Sequence, residues 1–215
     1  MIPKTINYIP FLDRYSSEIQ EFTFSIRATN PEYTIKEWTL DILRYERIPE
    51  NVKDAIIEKR YDEVSEYLAL YLIYSKGGIY INPRVKITKS LDGLLYNGFF
   101  GFYDNQDGKI QTIFMGAEKG NPFVLSCLER YFDDENVLVK KAKALGFKNE
   151  DTLQHLADRV SIYPSTFISA DPDSYAFIKE AVKEEAPIEK TYVEQSEEHE
   201  SKIKRLLSIF SKKFS

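Results

Sequence analysis

Hydrophobic and polar positions change from a helix-like to a strand-like spacing between residues 60 and 84. Apolar and aromatic side chains within Arg60–Lys76 recur every three and four positions, which predicts a helix. Gly77–Gly78 ends this helix, and we expect a positive φ at one of the two, because glycine tolerates the left-handed conformation. The run Ile79–Ile81 is typical of a strand buried on both faces, and Asn82–Arg84 ends it because proline cannot donate to a sheet.

The same two spacings alternate along most of the chain. The predicted strands are Thr5–Ile9, Tyr33–Trp38, Ile79–Ile81, Val85–Ile87, Gly98–Tyr103, Ile110–Met115, Val160–Tyr163 and Lys190–Val193. The predicted helices are Asp13–Arg27, Pro49–Lys59, Arg60–Lys76, Pro122–Phe132, Asn136–Leu145, Asn149–Asp158 and Asp173–Glu185. This alternation predicts an α/β fold with a mostly parallel sheet flanked by helices. Ligands of such sheets bind beyond the carboxyl ends of the strands, which makes Asn82–Arg84 a candidate site.

The last segment, 196–215, differs from the rest in its pattern. Its apolar residues lie on one helical face, acidic residues come first, and basic residues follow, which suits the dipole of a helix. The apolar positions are Ile203, Leu206, Leu207, Phe210 and Phe214. We therefore divide the chain into a domain at 1–195 and an amphipathic C-terminal helix at 196–215. This helix either contacts a membrane surface or a partner, or covers the domain's own core.

Composition limits the classes of function. The 215 residues, 43% of them hydrophobic and 14% aromatic, suit one domain with a sizeable core. The net charge of −5 provides no basic field for nucleic acid. Cys127 is the single cysteine, so no internal disulfide can form, and we expect a buried thiol and a reducing compartment. No signal-peptide pattern and no apolar run of spanning length is present, which predicts a cytoplasmic protein.

The helix, turn and strand at residues 65–80 also match a known pattern. The matching positions are Ser65, Tyr67, Leu70, Tyr71, Gly77, Gly78, Ile79 and Tyr80. They resemble the bacterial glycosyltransferases of family 32, the capsular-polysaccharide and sugar-binding group, in which Ser-Asp-x-x-Arg is followed by Gly-Gly-x-Tyr and Asp-x-Asp. Further matches cover about three quarters of the chain in the same order. They lie at Met1–Ile9, Pro31–Trp38, Met115–Pro122 and Ile162–Pro164.

The resemblance implies a glycosyltransferase-A-like domain that moves a sugar from a nucleotide sugar to a glycan acceptor, with retention of configuration. It implies a role in surface or capsular polysaccharide synthesis and a divalent metal such as manganese. It also implies donor-binding positions at Tyr8, Ile9, Glu66, Asn82 and Arg84. An acceptor cleft is implied at Gly116 and Ala117, although Met115–Pro122 is equally typical of an ordinary strand-to-helix turn. The resemblance assigns no catalytic residue here.

Several positions depart from the family's pattern. Asn82-Pro83-Arg84 stands in place of Asp-x-Asp, and Glu66 and Ala69 stand in place of the aspartate and arginine of Ser-Asp-x-x-Arg. The usual histidine and tryptophan of the first strand region are Asn7 and Pro10. The family's late His-His segment falls near residues 192–195, which contain no histidine. These departures concern positions that the family uses for chemistry, whereas its folding positions are kept.

The departures lead to two alternatives for function. Asn82 offers one neutral oxygen and Arg84 offers none, so we predict no bound metal and no other cofactor. Arg84 either replaces the metal by forking onto phosphate oxygens, or marks an inactive site. Glu66 either binds the donor sugar or pairs on a helix surface. The protein is thus either a glycosyltransferase or an inactive relative that acts as a binding or partner subunit.

Overall fold

The computed structural model describes residues 1–10, 16–38, 49–58, 60–169 and 174–178. Its strands are β1 (Thr5–Tyr8), β2 (Thr34–Glu37), β3 (Gly78–Ile81), β4 (Val85–Ile87), β5 (Phe99–Asp104), β6 (Lys109–Ala117), β7 (Gln154–His155), β8 (Val160–Tyr163) and β9 (Ala176–Ile178). Its α-helices are α1 (Ser16–Thr29), α2 (Glu50–Ile57), α3 (Tyr61–Lys76), α4 (Pro122–Leu128) and α5 (Val137–Ala144). Three short 3₁₀ turns lie at Asp92–Leu94, Ala157–Arg159 and Ser165–Phe167.

Seven strands form one mixed sheet in the order β2-β1-β3-β6-β5-β8-β7. The pairs β1–β2, β1–β3 and β5–β8 are parallel. The pairs β3–β6, β5–β6 and β7–β8 are antiparallel. The sheet is therefore less parallel than predicted, because β5 and β6 form a hairpin and β6 enters the middle of the sheet in the reverse direction.

The sheet has a core on each face. Ile79 and Ile81 of β3 join a cluster that includes Phe22 and Ile26 of α1, while Tyr80 between them faces the other side. β4 and β9 form a separate two-stranded sheet, and β4 contributes Val85 and Ile87 to the same cluster. The prediction that Ile79–Ile81 is buried on both faces is confirmed, since all three residues are at most 1% exposed.

The helix predicted at Asn149–Asp158 is wrong. This segment contains β7 and most of the 3₁₀ turn at Ala157–Arg159, and the Gln154 side chain donates at 3.0 Å to the Glu150 carbonyl, which in a helix would accept the backbone N–H of Gln154. The Gln154 amide bonds to both the N–H and the carbonyl of Lys148. Asp151 accepts from the N–H and the hydroxyl of Ser165. Such side-chain bonds compete with helix formation.

The helix predicted at Asp173–Glu185 is also wrong where the structure describes it. Ala176–Ile178 forms β9, which pairs antiparallel with β4. A helical pattern is overridden here by a partner strand some ninety positions earlier. The other predictions beyond residue 178, including the strand at Lys190–Val193, the division at residue 195 and the terminal helix, lie outside the described residues.

The single cysteine is part of the core. Cys127 is 0% exposed on α4, and burial raises the pKa of its thiol to about 12. α4 itself begins at Pro122, with the Asn121 side chain accepting from the N–H of Val124 at 3.2 Å. A buried, neutral thiol is what the sequence predicts. Among the helices of the described ranges, none combines the length and apolar character that a bilayer span requires.

Candidate functional site

The two glycines before β3 make a turn that only glycine fits. Gly77 has φ +73° and Gly78 has φ +96°, which confirms the predicted positive φ. A Cβ atom on Gly78 would lie 2.5 Å from the carbonyl oxygen of Thr5 in the neighbouring strand. A Cβ on Gly77 would lie 3.0 Å from the N of Lys119. The turn therefore sets where β3 starts beside β1.

Asn7 holds this turn from the side. Its side chain is fully buried, and its Nδ2 donates to the carbonyl of Gly77 at 3.1 Å. Its Oδ1 accepts from Nε1 of Trp38 at 2.9 Å, and the Lys76 ammonium lies 5.6 Å from the centre of the Trp38 ring. These hydrogen bonds give Asn7 a structural role.

The carboxyl ends of the three parallel strands meet at one edge of the sheet. Tyr8 lies beside Glu37 in the register of β1 and β2, and Asn7 lies beside Tyr80 in that of β1 and β3. The structure thus brings Ile9 and Asn82, which follow β1 and β3, to the same edge. We call this the carboxyl edge of the sheet. It is where the fold class places ligands.

Tyr8 and Ile9 contribute little side-chain surface to that edge. Tyr8 is 4% exposed, its hydroxyl donates to Glu37 at 2.7 Å, and its ring meets that of Phe22 edge-on at 5.2 Å. Burial, and then the bond to Glu37, raise the pKa of Tyr8 well above its ordinary value. Ile9 is 1% exposed. Both side chains belong to the core.

Asn82 and Arg84 differ in their contacts with the rest of the protein. The Oδ1 of Asn82 accepts the N–H of Arg84 at 3.0 Å, while its own N–H donates to the carbonyl of Ile113 at 2.7 Å. This turn fixes the backbone of Arg84. The Arg84 side chain is exposed, and within the described part of the chain its guanidinium has no hydrogen bond or ion pair.

These residues do not fit a divalent metal. The amide oxygen of Asn82 already accepts a backbone N–H, and Arg84, two positions further on, is a cation that would repel the ion. Elsewhere in the described ranges, no three His, Cys, Asp or Glu side chains converge closely enough to hold one. The arrangement suits an anionic ligand at Arg84 instead.

Glu66 makes its hydrogen bond with Tyr131 and makes none with Asn82. It is exposed on α3 and accepts the hydroxyl hydrogen of Tyr131 at 2.8 Å. It lines a cavity of about 610 Å³, and neither Asn82 nor Arg84 is part of that lining. Ala69, where the family has arginine, is 1% exposed and belongs to the core. The hydrogen bond between Glu66 and Tyr131 matches the alternative in which Glu66 pairs on the helix surface.

Gly116 and Ala117 lie at the opposite edge of the sheet. They pair with Ile79 and Gly78, at the amino end of β3, because β6 is antiparallel to β3. Both are buried, and a Cβ on Gly116 would meet the Phe100 ring at 2.4 Å. The structure does not bring them together with Asn82. Met115–Pro122 joins the end of β6 to the start of α4, and its place in an acceptor cleft stays a prediction.

The cavity beside Glu66 was not predicted from the sequence. The cavity is formed by α3, the β5–β6 hairpin and the segment 131–139. Tyr131 reaches Glu66 across it, and Thr112 lines it from β6. The signal available in the sequence was the run Asp133-Asp134-Glu135, which follows two aromatic residues and falls between two helices.

The fold can be compared with that of known proteins. The chain is similar to the PaToxG glycosyltransferase, with a TM-score of 0.50 and 16% identity over 64% of this chain and 65% of that one. It is also similar to the glycosyltransferase GlyE of Streptococcus pneumoniae TIGR4, with a TM-score of 0.41 and 9% identity over 78% of this chain and 46% of that one. A third similar structure is the galactosyltransferase LgtC in complex with donor and acceptor sugar analogs, with a TM-score of 0.40 and 14% identity over 76% and 74% of the two chains.

Sequence comparison gives no family. No protein-family model and no curated protein sequence matches the chain. The chain spans less than two thirds of the PaToxG and GlyE structures. The mixed seven-stranded sheet flanked by helices, together with the likeness to PaToxG, therefore establishes the fold alone. That fold is the predicted glycosyltransferase-A-like α/β fold.

Proposed function

We propose that this protein is a glycosyltransferase that binds the diphosphate of a nucleotide sugar through Arg84. The observation that carries the proposal is the exposed Arg84 side chain without a protein partner in the described structure, just beyond the carboxyl end of β3. The fold shared with the PaToxG glycosyltransferase supports the reaction class. The family 32 resemblance is the source of the more specific expectation of a hexosyl donor and a glycan acceptor.

The chemistry requires a cation where Arg84 lies. During transfer the bond between the anomeric carbon and the diphosphate oxygen breaks, a bond to the acceptor forms, and negative charge grows on the leaving diphosphate. A guanidinium can bind two phosphate oxygens at once and can stabilise that charge without a metal. The Asn82 turn holds the backbone of Arg84 in place, which lowers the cost of ordering the side chain.

Calorimetric titration with uridine and guanosine diphosphate sugars tests this proposal. Binding should be unchanged when manganese is added or when a chelator is present. Arg84→Ala should weaken binding by roughly 1.5–3 kcal/mol, the range of a charge-assisted hydrogen bond. Lys86→Ala is the matched control, because Lys86 is an exposed cation two positions away, and it should change affinity little. Donor binding that requires manganese would overturn the proposal.

Two observations favour the alternative that the protein is an inactive relative. The amide oxygen of Asn82 is already bonded within the protein, and Ala69 is buried where the family has a cation. An inactive protein would act as a binding subunit for a partner transferase or a glycan. In that case the wild-type protein binds no nucleotide sugar, and Arg84→Ala has no effect in the same titration.

The cellular setting is a separate part of the proposal. We place the protein in surface or capsular polysaccharide synthesis, in the cytoplasm, with segment 196–215 at the inner face of the cell membrane. The apolar stripe and basic residues of that segment support membrane contact. Flotation with anionic liposomes tests it. Equal flotation of the full chain and of a chain ending at Gln195 would exclude a membrane role for the segment.

A further inference from the structure

The cavity beside Glu66 has a strongly acidic lining. It has a volume of about 610 Å³ and opens between α3, the β5–β6 hairpin and the segment 131–139. The carboxylates of the lining are Glu63, Glu66, Asp104, Asp107, Asp133, Asp134 and Glu135. Lys109 is the one basic residue in the described lining. A cavity with this charge repels anions and attracts cations.

Part of this charge is neutralised from outside the cavity. Arg60 pairs with Glu63, and Lys140 lies 3.1 Å from Asp134. Arg130 lies 3.6 Å from Asp133 and 3.8 Å from Asp134. Together with Lys109, these three cations offset part of the charge of the seven carboxylates, and Arg60 is shared with Glu58 outside the cavity, so the lining stays negative.

Two of the carboxylates remain available to a ligand. Asp107, at the tip of the β5–β6 hairpin, and Glu135 are both exposed. Among the described residues neither side chain has an ion pair or a hydrogen bond. A cation that reached both would gain charge-assisted hydrogen bonds without breaking existing ones.

Thr112 provides an observation independent of the acidic charge. It lines the cavity from β6 and is only 7% exposed, yet its hydroxyl makes no hydrogen bond to any residue that the structure describes. Two described hydroxyls, those of Ser75 and Tyr80, are closed off from solvent and have no partner. The Thr112 hydroxyl is not among them, so it is accessible from outside, and the cavity gives that access. With no partner among the described residues, this hydroxyl can donate to or accept from a ligand in the cavity.

The spacing of the carboxylates decides between kinds of cation. A metal ion needs several ligands that converge on one point, and in the described ranges no three acidic side chains do so. Charges spread over three separate segments instead match a ligand with several separated positive charges. We propose that this cavity binds an extended organic cation, such as a polyamine or a chain of lysine or arginine residues.

The cavity adjoins the candidate donor site. Ile113 lines the cavity, and its carbonyl accepts the N–H of Asn82 at 2.7 Å. If the proposed transferase function is correct, on which this step rests, the bound cation is the acceptor or carries it. The acceptor would then be an amine-bearing or basic molecule, placed next to a donor held at Arg84.

Titration calorimetry at low salt tests cation binding without any need for activity. The probes are spermine, a hexapeptide of alternating arginine and glycine, and a hexapeptide of glycine and serine. The first two should bind and the third should not. Tighter binding of spermine indicates a polyamine ligand, and tighter binding of the arginine–glycine peptide indicates a basic polypeptide. Magnesium chloride should displace spermine no better than sodium chloride at the same ionic strength.

Matched variants locate the binding. Asp107→Asn with Glu135→Gln should weaken spermine binding by about five-fold, since each exposed charge pair contributes modestly. Glu150→Gln with Asp158→Asn removes the same charge from exposed positions outside the cavity and should weaken binding less than two-fold, as roughly expected for distant, screened charges. Thr112→Val should weaken binding by about three-fold and leave the melting temperature unchanged or higher.

Three results would overturn the inference. They are the absence of binding by both cations, equal weakening by the two charge-neutralising pairs, and displacement of spermine by magnesium beyond its ionic-strength effect. The nucleotide-sugar titration with Arg84→Ala is run separately. A failure of cation binding is thus distinguishable from a failure of donor binding.

Discussion

The two ends of β3 are built in different ways. At the amino end, the Gly78 backbone lies so close to Thr5 that no side chain fits, and the amide of Asn7 bonds to Gly77. At the carboxyl end, Asn82 closes a turn and Arg84 extends into solvent. One end is determined by contacts within the protein, whereas at the other the last side chain has none among the described residues.

This difference bears on where the chain can depart from the family 32 pattern that its sequence resembles. A residue whose atoms all have partners can change only if another set of partners replaces them, as Asn7 shows with its bonds to Gly77 and Trp38. A solvent-exposed residue such as Arg84 is not restricted by partners among the described residues. Departures at the amino end are therefore limited by folding, and those at the carboxyl end are not.

The largest expected effect is at Gly78. Gly78→Val should destabilise the protein by about 3 kcal/mol or more, because it adds a backbone clash to the cost of a positive φ. Urea unfolding measures the change. Gly120→Ala is the control, since Gly120 has φ +72° but nothing within 4 Å of its added Cβ. It should cost only about 1–2 kcal/mol. Equal losses would mean that the contact with Thr5 is unimportant.

A smaller loss is expected at Asn7. Asn7→Asp keeps the shape but replaces the donor that faces the Gly77 carbonyl with an acceptor in a fully buried place. The free energy of unfolding should fall by about 2–4 kcal/mol, the cost of an unsatisfied or charged buried group. Asn149→Asp makes the same chemical change at an exposed position and should stay within about 0.5 kcal/mol.

The smallest effects are expected at the carboxyl end of β3. Asn82→Ala should cost about 1 kcal/mol of stability, because the N–H of Arg84 loses its acceptor. Arg84→Ala should change stability by less than about 0.5 kcal/mol, since its side chain is exposed. Thermal melts of both variants measure this. A large loss for Arg84→Ala would show that the arginine supports the fold, and the contrast between the two ends would disappear.

Local signals were sufficient for the helix, turn and strand around β3. The glycine pair, the β-branched run and the proline each act over a few residues, and the structure confirms all three. The failures at 149–158 and 173–178 have a long-range cause. Asp151 bonds to Ser165, and β9 pairs with β4, and neither partner can be identified from a short window of sequence.

The candidate site was predicted unevenly for a related reason. Asn82 and Arg84 follow directly from the end of a strand. Gly116 and Ala117 were assigned to an acceptor cleft, and the antiparallel direction of β6 carries them to the opposite edge from Asn82. The acidic cavity combines residues from α3, two strands and a loop over more than seventy positions, so no single motif could indicate it.

Because Cys127 is buried, the reaction of its thiol can report how often the core around it opens. A thiol that is fully buried, with its pKa raised to about 12, reacts with an alkylating reagent only after the surrounding core has opened. Since the chain has one cysteine, its modification can be followed by a single mass change. The labelling rate then measures how often α4 leaves the sheet, without added dyes or engineered positions.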